Sequence, residues 1–224
     1  METMIYFIEL DESENFIKYE KHLRFLSAEK QVSIRKFRYD IDKKLSLFSD
    51  VFVRYLACQT NNLNNSELIF NKGEYGKPYL VGVPNFNYNI SHTRSAIIIG
   101  LSQQPIGVDI EKLKSADLKI AERFFCKNEC AYISSIWEQQ DKLFYEIWTK
   151  KEAYIKWNGK GLSLPLNSFD VTDVDIRNML AVFAINDYIF SVCCDQKLNS
   201  VDAIYLDEHQ ATQILANFLG FHSI

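Results

Sequence analysis

Hydrophobic and polar positions recur with two different periods along the 224 residues, and the switches between them mark the elements. Residues 5–10 are too apolar for clean alternation and predict a strand buried on both faces. Residues 13–59 carry helical spacing with breaks near Ser27 and Asp40, each able to cap the helix that follows. After the polar turn Asn61-Asn-Leu-Asn-Asn65, residues 68–82 read as short strands turned at Gly73 and at Gly76-Lys-Pro-Tyr79. Alternation then predicts an antiparallel meander over 86–91, 95–101 and 106–110, with turns at 92–94 and 103–105. From Lys112 to Asp117 the chain is polar, and helical spacing returns at 121–125, at 128–136 and in one long helix from 143. Strands at 168–173, 180–185, 188–194 and 201–206, with a turn at Asn186-Asp187, and a helix at 208–219 complete an α+β pattern.

The long helix carries the first candidate chemistry. At 100° per residue Leu143, Phe144, Ile147, Trp148, Tyr154 and Ile155 share an arc of about 140°, into which Lys151 also falls. Glu152 and Lys156, one turn apart, lie just outside it and can face the same space. Asn158-Gly159 and Gly161 end the helix, and Pro165 prevents its resumption. On an arbitrary helix such a pair is a surface contact worth a few tenths of a kcal/mol. Asp109 and Glu111 change that picture. Two apart on a predicted strand, they point to one face about 7 Å apart at the Cα, where like charges repel. Either that face is a solvated edge, or something positive answers it, and a hard divalent ion such as Mg²⁺ suits three carboxylates with water and phosphate oxygens.

Gly107-Val-Asp-Ile-Glu111, Trp148-Thr-Lys-Lys-Glu-Ala-Tyr-Ile-Lys156 and Gly159-Lys-Gly-Leu-Ser-Leu-Pro-Leu166 follow Gly76-Lys-Pro78 and Asn89-Ile-Ser-His92. In that order they resemble the signature motifs of the 4′-phosphopantetheinyl transferases, above all the two-halved Sfp type. The likeness covers most of the chain and is weakest at its ends. It implies two similar α+β halves related by a pseudo-twofold, with the active site in the cleft between them. Residues 1–112 would form the half with the coenzyme A nucleotide contacts and the Asp109/Glu111 strand, and residues 113–224 the half with the Glu152/Lys156 helix.

The implied reaction moves 4′-phosphopantetheine from coenzyme A to a serine of an apo acyl or peptidyl carrier protein and releases adenosine 3′,5′-bisphosphate. By the same resemblance Asp109, Glu111 and Glu152 hold Mg²⁺, with Mn²⁺ as the alternative ion. Glu152 is the candidate general base, and Lys156 steadies the departing nucleotide. Lys30 holds the 3′-phosphate, Ser91 and His92 the 3′-phosphate or ribose, and Lys77 lies against the nucleotide. Two positions depart from the expected pattern. Ser33 stands where a second lysine is expected, with Arg35 as a substitute, and Leu113 stands in place of a threonine. Leu113 is the expected docking surface for the carrier, together with the helix of Phe124 and Phe125, two residues that fit a core position equally well.

Charge and composition narrow the classes further. A net charge of −4 argues against general nucleic-acid binding, so an anionic substrate needs a local basic pocket. Lys30, Arg35, Lys36, Arg38, Lys43 and Lys44 supply a local excess. Five cysteines, with no partner pair for Cys126-x-x-x-Cys130, fit buried thiols in a reduced compartment better than a disulfide framework or a zinc site. No basic region precedes the short apolar run at the N-terminus, and no apolar stretch is long enough to span a bilayer. The expectation is a cytoplasmic monomer without membrane or nucleic-acid partners. The rival classes are another metal-dependent phosphotransferase or hydrolase, and a non-catalytic carrier-binding module.

Overall fold

The computed structural model describes residues 3–195 and 203–221. Strand Met4–Glu9 (β1) leads through short 3₁₀ turns to helices Ala28–Arg35 (α1) and Asp40–Asn61 (α2). The hairpin Phe70–Lys72 (β2) and Pro78–Leu80 (β3) follows, then Asn87–Thr93 (β4), Ala96–Ser102 (β5) and Ile106–Lys112 (β6). Helices Leu118–Phe124 (α3), Lys127–Ser134 (α4) and Gln140–Asn158 (α5) come next, then the short Val174–Arg177 (α6). Strands Leu180–Ile185 (β7), Tyr188–Cys194 (β8) and Ala203–Asp207 (β9) and helix Glu208–Phe221 (α7) end the order. Of the expected strand at 201–206, Val201 and Asp202 lie outside the described residues. Among the described residues no helix is long and apolar enough to cross a membrane.

The α+β class holds, as two sheet-and-helix regions. One sheet has the order β4-β5-β1-β9, with β9 parallel to β1 and the other pairs antiparallel; the second is the antiparallel β6-β8-β7. β1 is buried on both faces as its composition predicts. Ile8 packs with Phe48 and Phe52 of α2 and with Leu215 of α7, whereas Ile5 and Phe7 pack against Val108, Phe190 and Val192 of the second sheet. α5 covers the far face of that sheet, with Ile147 and Phe144 in a third cluster with Ile189. The layers therefore run helices, sheet, sheet, helix. Gly100 lets the sheets approach, since a Cβ there would stand 2.6 Å from Val108 Cγ1.

Four expectations are corrected. β6 does not continue the β4–β5 meander; it pairs with β8, because alternation fixes which side chains share a face but not which strand lies alongside. The turn after β4 is Arg94-Ser95, Arg94 taking φ 47°, so His92 and Thr93 stay on the strand. Residues 168–173 form no strand. There the Asp170 carboxylate accepts from Thr172 N and Oγ1, and Ser168 Oγ donates to Pro165 O, so local side-chain bonds take the place of a ladder. The break at Ser27 is a true cap, its Oγ accepting from Lys30 N, but Asp40 opens α2 with its carboxylate turned to Phe16 N and Lys43. Cys58, Cys193 and Cys194 are buried, and Cys126 and Cys130 are half-buried.

His22 lies in the first core, 1 % exposed, with neither ring nitrogen hydrogen-bonded. Burial, aided by Lys21 and Arg24, pushes its pKa down from 6.5 to about 4. Between those values the unfolded chain binds a proton that the fold refuses, so stability is present above pH 6.5 and falls as the pH drops towards 4. His22→Leu is expected to flatten this acid limb of the melting temperature, measured by thermal denaturation from pH 7 to 4. An unchanged limb would show that other groups set it.

Candidate active site

The site is built where α5 lies directly on β6. Gly107 makes that possible, since a Cβ there would stand 2.0 Å from Ala153 O and 2.3 Å from Trp157 N, both backbone atoms. Gly159 ends the helix at φ 78°, its N–H returning to Ile155 O at 2.9 Å. Lys151, the charge inside the apolar arc, is fully buried and anchors the helix. Its Nζ pairs with the equally buried Glu129 at 2.8 Å and donates to Leu166 O and Phe169 O at 2.7 and 2.8 Å. Glu129 also accepts from Cys126 N and Val171 N, so this buried pair is fully satisfied. Thr149 Oγ1 meets Ser191 Oγ of β8 at 2.8 Å. With both ends fixed, α5 presents Glu152 and Lys156 to β6.

Across that junction Lys156 Nζ reaches Asp109 Oδ1 at 2.7 Å and Ser91 Oγ at 2.9 Å, while Ser91 Oγ donates to Asp109 Oδ1 at 2.8 Å. Asp109 is 5 % exposed, and its second oxygen, Oδ2, is buried without a hydrogen-bond partner. Burial raises the Asp109 pKa, against the opposing pull of Lys156. Burial and then the charge of Asp109 raise Glu111, whose Oε2 accepts from Thr93 Oγ1 at 3.2 Å. Burial, Asp109 and Glu111 also raise Glu152, while Lys156 lowers it. Three carboxylates thus feel one another, with one ammonium between them. Among the described residues no three side chains form a ready-made metal shell, and Lys156 occupies Asp109 Oδ1. The donor set still fits a hard divalent ion: three carboxylates disfavoured as anions by burial, Glu111 and Glu152 also by the charge of Asp109, and Asp109 with an orphaned oxygen.

Beside this cluster a cavity is lined by Lys30, Ser46, Ser49, Asp50, Ile90 and His92. Lys30 and His92, far apart in sequence, therefore share one wall. Lys30 Nζ is held by Asp50 at 2.8 Å. His92 is exposed on β4, and its pKa is lowered by partial desolvation of the ring and by the Lys156 and Lys30 charges. Ser91, on the opposite face of β4, belongs to the Asp109–Lys156 triangle instead. Arg35, the expected substitute for the lysine missing at Ser33, is directed elsewhere. It pairs with Glu20 at 3.5 Å and lines a separate cavity with Phe16 and Asp40. Arg54 and Lys72, not singled out from the sequence, share a cavity with Lys30 and Ser33. Lys77, expected against the nucleotide, directs its ammonium to Ile106 O, Lys156 O and Trp157 O, and burial pushes its pKa down to about 8.

Sequence reasoning also passed over Asn89, whose Oδ1 accepts from Val108 N at 2.9 Å and ties β4 to β6 across the two sheets. The motif Asn89-Ile-Ser-His92 contained the signal, since an amide in an otherwise apolar strand needs a partner. Of the expected docking residues, Phe124 is exposed, Leu113 is half-buried against the third cluster, and Phe125 is core, stacked on Phe144.

Residues 105–215 match the model of the 4′-phosphopantetheinyl transferase superfamily, and residues 14–104 match that of the 4′-phosphopantetheinyl transferase N-terminal region. The chain is 42 % identical over 168 residues to the 4′-phosphopantetheinyl transferase ffp of Bacillus subtilis, covering 75 % of each chain. It is 40 % identical over 168 residues to the 4′-phosphopantetheinyl transferase Sfp of Bacillus subtilis strain 168, again covering 75 % of each. To the 4′-phosphopantetheinyl transferase gsp of Aneurinibacillus migulanus it is 38 % identical over 145 residues, 64 % of this chain and 60 % of that one. With the Asp109–Lys156 junction in place and residues 14–215 matched by the two family regions, the chain belongs to the 4′-phosphopantetheinyl transferases of the Sfp type.

Proposed function

We propose that this protein transfers the 4′-phosphopantetheine group of coenzyme A to a serine of an apo acyl or peptidyl carrier protein, releasing adenosine 3′,5′-bisphosphate. The observation that carries the reading is the ammonium of Lys156 set among Asp109, Glu111 and Glu152, beside the cavity that Lys30 and His92 share. In this reading the two sheet-and-helix regions are similar halves, about 1–112 and 113–224, that exchange strands: β6 joins the second sheet, and β9 returns to the first. The active site is the cleft between them.

Lys30 and His92 receive the 3′-phosphate at the nucleotide end, and Ser91 steadies Lys156 and Asp109. Asp109, Glu111 and Glu152 are the residues that would hold Mg²⁺ or Mn²⁺. An ion bound there supplies charge neutralisation for the pyrophosphate. The carrier hydroxyl attacks the phosphorus that bears the pantetheine, a serine–phosphorus bond forms, and the bond to the bisphosphate breaks. Glu152, its pKa raised by burial and neighbouring acids, takes the hydroxyl proton. Lys156 meets the negative charge that grows on the leaving group. The carrier approaches over Leu113 and the exposed Phe124.

Lys30→Ala and His92→Ala test the nucleotide end. Each is expected to weaken coenzyme A binding about ten- to a hundredfold while changing 3′-dephospho-coenzyme A little, because one charge-assisted hydrogen bond is lost. Calorimetry with the two ligands decides it, and equal losses for both would place these residues elsewhere.

A further inference from the structure

We propose that Lys77 is a positioning residue, tying the C-terminal end of α5 to the start of β6 so that Lys156 stays on Asp109, and that it is not an anion ligand. This rests on the transferase reading above. A lysine ammonium has three donors and no acceptor. Lys77 Nζ meets three carbonyls: Ile106 O at 3.0 Å, Lys156 O at 2.6 Å and Trp157 O at 3.3 Å. No donor remains for a phosphate unless one of these bonds breaks. The acceptors are also the ones that need it. The last carbonyls of a helix lack intrahelical partners and carry its negative dipole end, so a cation there is favoured. Gly159 N serves Ile155 O, which leaves Lys156 O and Trp157 O to Lys77.

The third carbonyl makes the cap more than a helix end. Ile106 precedes Gly107, the point where β6 and α5 touch, and lies three residues before Asp109. One ammonium therefore holds the backbone of Lys156 to the strand that carries its partner. Lys77 is itself held rigidly. Its carbonyl accepts from Gly73 N at 2.9 Å, and the following Pro78 restricts its backbone to an extended conformation. The hairpin between β2 and β3 thereby becomes a brace for the reacting groups. Losing it would let Lys156 drift, and a displacement of about 1 Å at a reacting centre can cost about a hundredfold in rate.

The test compares Lys77→Met and Lys77→Arg with the parent protein, well below their melting temperatures. For Lys77→Met, kcat is expected to fall about ten- to a hundredfold while KM for coenzyme A stays within about threefold. Hydrogen exchange should quicken at the amides of residues 106–108 and 155–160. Lys77→Arg, which keeps charge and donors, should recover most of the rate. Should Lys77→Met not fold, Lys77→Gln carries the same comparison. A raised KM for coenzyme A at constant kcat would make Lys77 a nucleotide ligand and overturn the proposal. Faster exchange with both constants held would leave a helix cap only, and unchanged exchange would show no tie at all; either result also overturns it. A parent protein inactive on every carrier would sink the transferase reading instead, and the exchange measurement would still decide the tie.

Discussion

Asp109→Asn is expected to lower turnover by at least about 10²–10³-fold while leaving the fold intact, the scale of losing one electrostatic contact that acts in the transition state. The side chain keeps its size, and its amide oxygen can still accept from Ser91 and Lys156, the bonds that Oδ1 makes at 2.8 and 2.7 Å. What disappears is the charge. Burial already penalises that charge, so neutralising it should cost the fold little, and the melting temperature should move by only a few degrees. Lys156 would then lack its counter-charge, and Glu111 and Glu152 would lose the third acid of the proposed cation site. Circular dichroism and turnover with saturating coenzyme A and Mg²⁺ check both halves. Near-parental turnover would remove Asp109 from the chemistry.

Gly107→Ala should produce the other large effect, for a purely steric reason. The added Cβ would stand 2.0 Å from Ala153 O and 2.3 Å from Trp157 N, and neither is the end of a flexible side chain that could swing aside. Overpacking usually costs about 1–3 kcal/mol, and a clash with helix backbone belongs at or above the top of that range. If the protein survives, α5 must lift from β6, carrying Glu152 and Lys156 away from Asp109. The expected outcome is a melting temperature lower by about 5 °C or more, with turnover down about a hundredfold in the folded protein. Gly159→Ala makes a useful contrast. Its Cβ would come no closer than 3.7 Å to Lys77 Cδ, so only left-handed strain of about 1–2 kcal/mol remains. Equal, small effects for the two variants would contradict the close α5–β6 contact.

Much of this was legible locally. The double-faced burial of β1, the length and end of α5, and the pairing of Asp109 with Glu111 and of Glu152 with Lys156 each lie within a single window of sequence. Which windows meet is another matter. Alternation gave β6 its faces but not its neighbour β8, and nothing local announces that β9 returns to lie parallel to β1. Lys151 looked like a flaw in an apolar stripe, because an arc counts neighbours on one helix and cannot see the buried Glu129 that completes it. Lys77 stood in a recognisable motif, but a motif fixes a position and not the direction in which an ammonium points.

The central claim is tested most directly by intact mass spectrometry of several apo acyl and peptidyl carrier proteins incubated with coenzyme A, Mg²⁺ and this protein. The account predicts a gain of one phosphopantetheine group on the carrier serine, no gain with Asp109→Asn, and one adenosine 3′,5′-bisphosphate released per carrier converted. Carriers unchanged in mass while coenzyme A or other nucleotides are hydrolysed would contradict it and point to a hydrolase built on the same acids.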